Sequence, residues 1–146
     1  MGEPPIGDDR GSVLFLFPAA FLIVLVLGAI AIDSGAAFLR QRELAAAADA
    51  AANDAITLAV RDSLAVGSEP VIDQAAADAA VRASLDRRGI LHELSAPPVV
   101  TVVAPDRIEV HVEAVADYVI APALPGGRDG TPVQATVTVR LAVDDG

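Results

Sequence analysis

The chain has 146 residues, enough for one modest globular domain plus an accessory segment and too few for a multidomain enzyme. Hydrophobic residues make up 53% of it but aromatic residues only 3%, which indicates a very apolar segment joined to a weakly apolar, alanine-rich remainder. The absence of cysteine excludes disulfides and thiolate sites. The net charge of −10 argues against nucleic acid as a partner, and the composition as a whole argues against a soluble cytoplasmic catalyst.

The first predicted element is a transmembrane helix at residues 12–32, which follows a predicted disordered segment at residues 1–11. The helix contains no charged side chain, and only Pro18 and Gly28 interrupt its apolar run; both residue types are tolerated inside membranes. About 20 helical residues rise roughly 30 Å, which is the thickness of the hydrocarbon core of a bilayer. The lipid bilayer is therefore the first predicted partner.

Charged side chains flank this apolar run and set its predicted ends. Arg10 precedes it, and Asp33 follows it where its carboxylate can reach headgroup water, so both are predicted membrane-boundary residues; a buried functional carboxylate is the other interpretation of Asp33. A cleavable signal peptide is an alternative, because Ala29 and Ala31 form an A-x-A pattern, but the acidic leader and the length of the run favour a retained anchor. The count of positive charges does not decide which end of the helix lies in the cytoplasm, since one arginine precedes the run and two follow it.

An alanine-rich stalk helix is predicted over residues 33–66, continuing the membrane helix as one rod about 80 Å long. Apolar residues recur in it at steps of four, three, four and three, which places them on one stripe. Small side chains let another element approach closely, so we predict a helix-packing face that can receive a partner helix. Its members are Leu44, Ala48, Ala51, Ala55 and Leu58.

Residues 67–146 are predicted to form an α+β head. A break at Gly67, with Ser68 as a cap and Pro70 in the first turn, precedes a predicted helix at residues 70–88. Apolar and polar residues then alternate, which predicts a half-buried antiparallel sheet packed on the two helices. Its strands are expected at about 99–103, 107–118 and 132–143. The predicted fold class is thus α+β: one N-terminal transmembrane helix continuing into an alanine-rich stalk helix, a second helix, and a small antiparallel sheet.

The sequence offers no catalytic or metal-binding constellation. His111 lies between Glu109 and Glu113 on the polar face of a predicted strand, and no second histidine stands at ligand spacing. The glycine-rich loop at 126–130 lacks the lysine and the helix start of a phosphate cradle, which favours a turn. We therefore expect no enzymatic activity, no cofactor, no metal and no small-molecule substrate.

The order of these parts resembles the TadE/TadG-like proteins of the Flp (tight adherence) pilus system, a pseudopilin branch of the type IV pilins. The resemblance is specific over about residues 9–60 and rests on Asp9–Ser12, the proline-containing apolar run, Ala31–Gly35, Arg40–Leu44 and Ala48–Ala52. It implies a pilin-like structural or assembly component of a bacterial pilus or secretion system, anchored once in the cytoplasmic membrane. Other pilus subunits are its implied partners, and its head is expected outside the cytoplasm. A membrane-tethered extracytoplasmic binding or scaffold module unrelated to pili is the alternative function.

The resemblance also bears on N-terminal processing. Prepilins are cut after a glycine and carry glutamate at the fifth mature position. Gly11 and Ser12 are therefore the candidate processing site, but the fifth residue after Gly11 is Leu16. An uncut, TadG-like role fits this sequence better.

Overall fold

The computed structural model describes residues 10–67, 71–124 and 126–141, with side chains from Leu16 onward. Its helices are α1 (Arg10–Val66) and α2 (Gln74–Arg87), and its strands are β1 (Val99–Ala104), β2 (Arg107–Asp117) and β3 (Gly130–Arg140). Two 3-10 turns, at Leu91–Glu93 and Ala121–Ala123, connect them. This is the α+β arrangement predicted from the sequence, with a long apolar N-terminal helix, a second helix and a small antiparallel sheet.

The predicted membrane helix and stalk form one continuous helix. α1 contains 57 residues, which corresponds to about 85 Å at 1.5 Å per residue. Its apolar first part, which includes Phe17 and Leu25, is exposed almost all round in the isolated chain. Among the described residues, α1 is the one helix long and apolar enough to cross a membrane. In its second part a single face is buried, so the surroundings of the helix change along its length.

The buried face of α1 packs against the sheet and α2 of the same chain. Leu44, Ala48, Ala51 and Ala55 are all buried there. Because an alanine side chain is a single methyl group, the helix lets β2, β3 and α2 come close without leaving voids. The face predicted to receive a partner helix is therefore occupied by the protein's own head.

Leu58 departs from this predicted face, because its side chain is 42% exposed. It lines a surface groove between α1 and α2 together with Ala80 and Ala83. The methyl groups of these two α2 alanines are too short to cover a leucine. The end of the predicted packing stripe is thus open to the surroundings.

α2 begins with a carboxylate cap. The side chain of Asp73 accepts a hydrogen bond from the N–H of Ala76 at 2.8 Å, which satisfies one of the free donors of the first turn. The helix accordingly starts at Gln74, four residues later than the predicted residue 70. The predicted cap Ser68 and Pro70 lie outside the described residues. The buried face of α2 consists of Ala77, Val81, Ser84 and Leu85.

The three strands form an antiparallel meander in the order β1-β2-β3. β2 and β3 pair over eleven residues, from Arg107 opposite Arg140 to Asp117 opposite Gly130. The predicted alternation is confirmed, since every second residue of β2 faces the helices and is buried. These inward residues are Ile108, Val110, Val112, Ala114 and Ala116. β3 ends at Arg140, and residues 142–143 of the predicted strand lie outside the described part.

A side chain closes the outer edge of β1. The amide nitrogen of Gln74 donates to the carbonyl of Val100 at 2.7 Å, and its amide oxygen accepts from the N–H of Val102 at 2.9 Å. The carboxamide thus takes the place of a neighbouring strand at an edge that would otherwise present free backbone groups. This contact also fixes the first residue of α2 against the sheet.

Replacing Leu85 with alanine tests the packing of α2. Leu85 is fully buried, so truncation leaves a cavity and should lower the free energy of unfolding of the head by about 2–5 kcal/mol. Leu64→Ala is the matched control, since Leu64 is 71% exposed on α1 and its truncation should change stability by less than about 0.5 kcal/mol. Denaturant titration of the full chain in detergent micelles measures both, with the single tyrosine, Tyr118, reporting on the head. Equal effects of the two substitutions would contradict this packing.

Candidate functional site at the junction of helix and head

The head is tied to α1 by an acidic side chain at the end of the predicted membrane span. Asp33 is only 6% exposed, and its carboxylate accepts three backbone hydrogen bonds. Oδ1 accepts from the N–H of Val119 at 2.7 Å and of Ile120 at 2.9 Å, and Oδ2 accepts from the N–H of Ala121 at 2.8 Å. These consecutive donors lead into the 3-10 turn Ala121–Ala123, where helical N–H groups have no internal partner. One carboxylate thus joins two segments that are 86 to 88 residues apart.

This geometry corrects the predicted environment of Asp33. The residue stands at the end of the apolar run as the sequence indicates, but its carboxylate bonds to the head instead of reaching headgroup water. The reason is long-range, because the donors arrive from the segment after β2 and no local pattern around Asp33 announces them. The carboxylate is a structural tie, and the position of Asp33 at a membrane boundary stays a prediction.

The three donors also determine the ionisation of Asp33. Burial alone would raise its pKa, but the N–H groups of Ile120, Ala121 and Val119 favour the charged form and hold the pKa below its usual value. The side chain is therefore a carboxylate at neutral pH. Hydrogen bonds to an ionised acceptor are stronger than those between neutral groups, so the tie is strongest in the charged state.

The turn that carries these donors depends on a close backbone approach at Gly127. The N–H of Gly127 donates to the carbonyl of Leu124 at 2.9 Å. A Cβ at this position would overlap the carbonyl oxygen of Ala121, so the turn accepts only glycine there. The sequence predicted a turn in the 126–130 loop, but it gave no sign that the turn supports the partner of Asp33.

A second polar contact lies two helical turns further along α1. The guanidinium of Arg40 pairs with Glu93, in the 3-10 turn before β1, and with Glu43 at 2.8 Å on its own helix. Arg40 follows Asp33 by seven residues, which places both side chains on the side of α1 that faces the head. Partly exposed ion pairs stabilise weakly, so this pair orients the head more than it holds it.

A third contact joins the two helices. The carboxylate of Asp54 accepts a hydrogen bond from the hydroxyl of Ser84 at 2.6 Å and lies 3.5 Å from the guanidinium groups of Arg87 and Arg88. The Ser84 hydroxyl contributes most to lowering the pKa of Asp54, and the positive charges of Arg88 and Arg87 add to it. α2 is therefore fixed to α1 by a charged contact beside the apolar one.

The candidate processing site lies at the other end of the predicted span. Gly11 and Ser12 occupy the first turn of α1, directly after Arg10, and the side chain of Ser12 lies outside the described part of the structure. Along the helix axis Ser12 and Asp33 are separated by about 31 Å. The structure therefore places the two sites at opposite ends of the apolar run.

His111 is engaged in side-chain contacts on the outer face of the sheet. Its Nδ1 is 2.8 Å from the hydroxyl of Thr136 on β3, and its Nε2 is 3.1 Å from a carboxylate oxygen of Glu113. Within the described ranges, no three His, Asp or Glu side chains gather as a metal ion would require. The contacts that do converge are those that join α1 to the head.

Comparison with known protein families bears on the N-terminal part of this arrangement. Residues 11–61 match the family model described as "Putative Flp pilus-assembly TadE/G-like". The resemblance seen in the sequence is confirmed over this segment, which includes the apolar run, Asp33 and the buried alanine face of α1. Most of the head lies beyond the match. Comparison with curated proteins and with solved structures returned no match.

Asp33→Asn should loosen the head at the junction. The substitution removes the negative charge and one of the two acceptor oxygens, so the amides of Val119, Ile120 and Ala121 should exchange with solvent faster, on the order of tenfold. Hydrogen exchange of the full chain in micelles, analysed by mass spectrometry, measures this. Asp62→Asn is the control, since Asp62 is exposed on the same helix and its replacement should leave these amides unchanged. Unchanged protection in Asp33→Asn would refute the tie.

Acidification tests the Asp54 contact. Because the pKa of Asp54 is lowered on folding, its contribution to stability is complete at neutral pH and is lost as the pH falls from the unfolded value, about 3.9, towards the folded one. In Asp54→Asn the Tm should therefore be lower at neutral pH and should fall less between about pH 5 and about pH 3. Thermal unfolding followed by Tyr118 fluorescence measures how Tm changes with pH in the wild-type chain and in Asp54→Asn. Asp54→Asn and wild-type chains with parallel curves would contradict this.

Proposed function

We propose that this chain is a membrane-anchored structural or assembly component of a Flp (Tad) pilus or a related secretion system. The observation that carries the proposal is the family match over residues 11–61, which coincides with the apolar part of α1 and the face on which the head is built. In this role the chain acts by position and contact: α1 holds it in the bilayer, and the head is displayed outside the cytoplasm.

The junction supports this role because it sets the head directly at the end of the span. The Asp33 contact lies directly after the apolar run, and the part of α1 that joins the hydrophobic core of the head starts at Leu44, roughly 17 Å further along the axis. No flexible linker separates the two regions of α1. The position of the head relative to the bilayer is therefore set by the helix itself, as a scaffold requires.

Contacts with other pilus subunits have to use surfaces that the head leaves free. The alanine face around Ala48 and Ala51 is buried against the chain's own sheet, whereas the apolar surface around Phe17 and Leu25 is exposed all round. We therefore place helix packing with other subunits inside the membrane, where dispersion contacts between apolar helices drive association.

The orientation of the head can be tested with single cysteines, because the chain contains none. Arg128 is exposed in the loop before β3, so Arg128→Cys should react with a membrane-impermeant maleimide in intact cells. Gly2→Cys, on the other side of the predicted span, should react only after lysis. The reverse labelling pattern would place the head in the cytoplasm.

Deletion of the gene in its own bacterium tests the pilus role. We expect loss of Flp pili on the cell surface by electron microscopy, restored by the wild-type chain and by Asp62→Asn, and restored less by Asp33→Asn because its head is held less firmly. Intact-mass analysis of the purified protein should give an N-terminus that is not cut at Gly11. Normal piliation in the deletion strain would contradict the proposed function.

A further inference from the structure

We propose that the apolar turn Val119–Leu124 is a second membrane contact, seated in the interfacial layer of the leaflet that surrounds the end of the span. The inference rests on the proposed membrane anchoring and extends it, because it assigns a lipid-binding surface to the head itself. Three observations support it.

The first observation is the level at which the turn is held. The N–H of Val119 bonds to the Asp33 carboxylate at 2.7 Å, and Asp33 directly follows the predicted span at residues 12–32. A bilayer has a hydrocarbon core about 30 Å thick and a total thickness of about 40–45 Å, which leaves an interfacial layer of about 5–8 Å on each side. A group in contact with Asp33 therefore lies within that layer.

The second observation is the surface of the turn. Val119 is 68% exposed and Leu124 is 41% exposed, and the segment from Tyr118 to Leu124 contains no charged residue. Apolar side chains of this size gain free energy when the acyl boundary replaces water around them. Tyr118, half-buried at the start of the turn, has the amphipathic ring that is enriched at membrane interfaces.

The third observation is that the apolar surface of the turn continues onto α1 on both sides of Asp33. Ala29 lies one helical turn before Asp33 on the same face of α1 and is buried, whereas Ile30 and Ile32 beside it are exposed. α1 also contacts the 3-10 turn of the head. Five residues after Asp33, Phe38 is 65% exposed, about 8 Å further along the axis. The head thus meets the helix inside the apolar run, and exposed apolar side chains continue to the outer limit of the interfacial layer.

A surface groove lies along this continuous apolar surface. Ile30, Phe38, Tyr118 and Ala121 line one open groove of about 530 Å³ between α1 and the head, and Asp33, Ser34 and Gln41 form a polar part of its lining. Lipid surrounds a span wherever no other helix packs against it, so a groove and a turn of the head at this level meet lipid first. The bilayer is therefore the occupant that the geometry favours.

Site-specific probes in the full chain test the proposal. Val119→Cys and Leu124→Cys, each labelled with the environment-sensitive dye NBD, are reconstituted into phosphatidylcholine vesicles with and without brominated acyl chains. Both probes should emit at shorter wavelength than in water and lose part of their emission to the bromolipid. Val103→Cys is the matched control, because Val103 is an exposed valine near the Arg107 end of β2, about 30 Å along that strand from its Asp117 end, which leads into the turn. Its probe should keep its emission.

Leu25→Cys separates this inference from the anchoring on which it rests, since Leu25 is exposed in the middle of the span. If its probe is not quenched, the span is not in lipid and both proposals fail. If it is quenched while the two turn probes behave like Val103→Cys, the second contact is wrong and the anchor stands. Turn probes that shift in wavelength without bromolipid quenching would show a protein cover, which also overturns the proposal. Each unlabelled variant should keep the wild-type unfolding midpoint reported by Tyr118, as expected for exposed positions.

Discussion

The head exists because α1 presents methyl groups where the sheet presents branched side chains. Ala48 and Ala51 bring the helix axis close to β2 and β3, and Val110 and Val112 fill the space between the layers. A larger residue on the helix would separate the layers, and a smaller one on the strands would leave voids, since interiors tolerate little change in volume. This contact lets a chain with 3% aromatic residues form a closed core.

α1 meets two different environments without a break. Its first part has apolar side chains all round, as a helix needs in lipid, and its second part buries a single face, as a helix needs beside a sheet. Asp33 lies where one pattern replaces the other, and its three donors give a buried charged group its partners. The change in side-chain pattern and the attachment of the head thus coincide.

The parts that the sequence predicted are those governed by local periodicity. The apolar run from 12 to 32 and the alternation in β2 each follow from side-chain spacing, and the structure has the helix and the strand. The partner of Asp33 could not be found this way, because its donors are backbone groups, which are the same in every sequence, delivered by the topology of the head. The exposure of Leu58 could not be predicted either, because it depends on the short side chains of α2 across the groove. The start of α2 depends on the cap Asp73, which is a weaker sequence signal for a helix start than Pro70.

An unbroken α1 also makes the molecule a lever. From Asp33 to Val66 the helix extends about 50 Å beyond the predicted span, so a tilt of about 10° would carry its far end sideways by about 9 Å. No proline interrupts this arm, and its one glycine, Gly35, lies at its base, so the arm beyond Gly35 has no residue of either type to absorb the rotation. A small change in the angle of the span would therefore be amplified into a displacement large enough to engage or release a contact at the distal end.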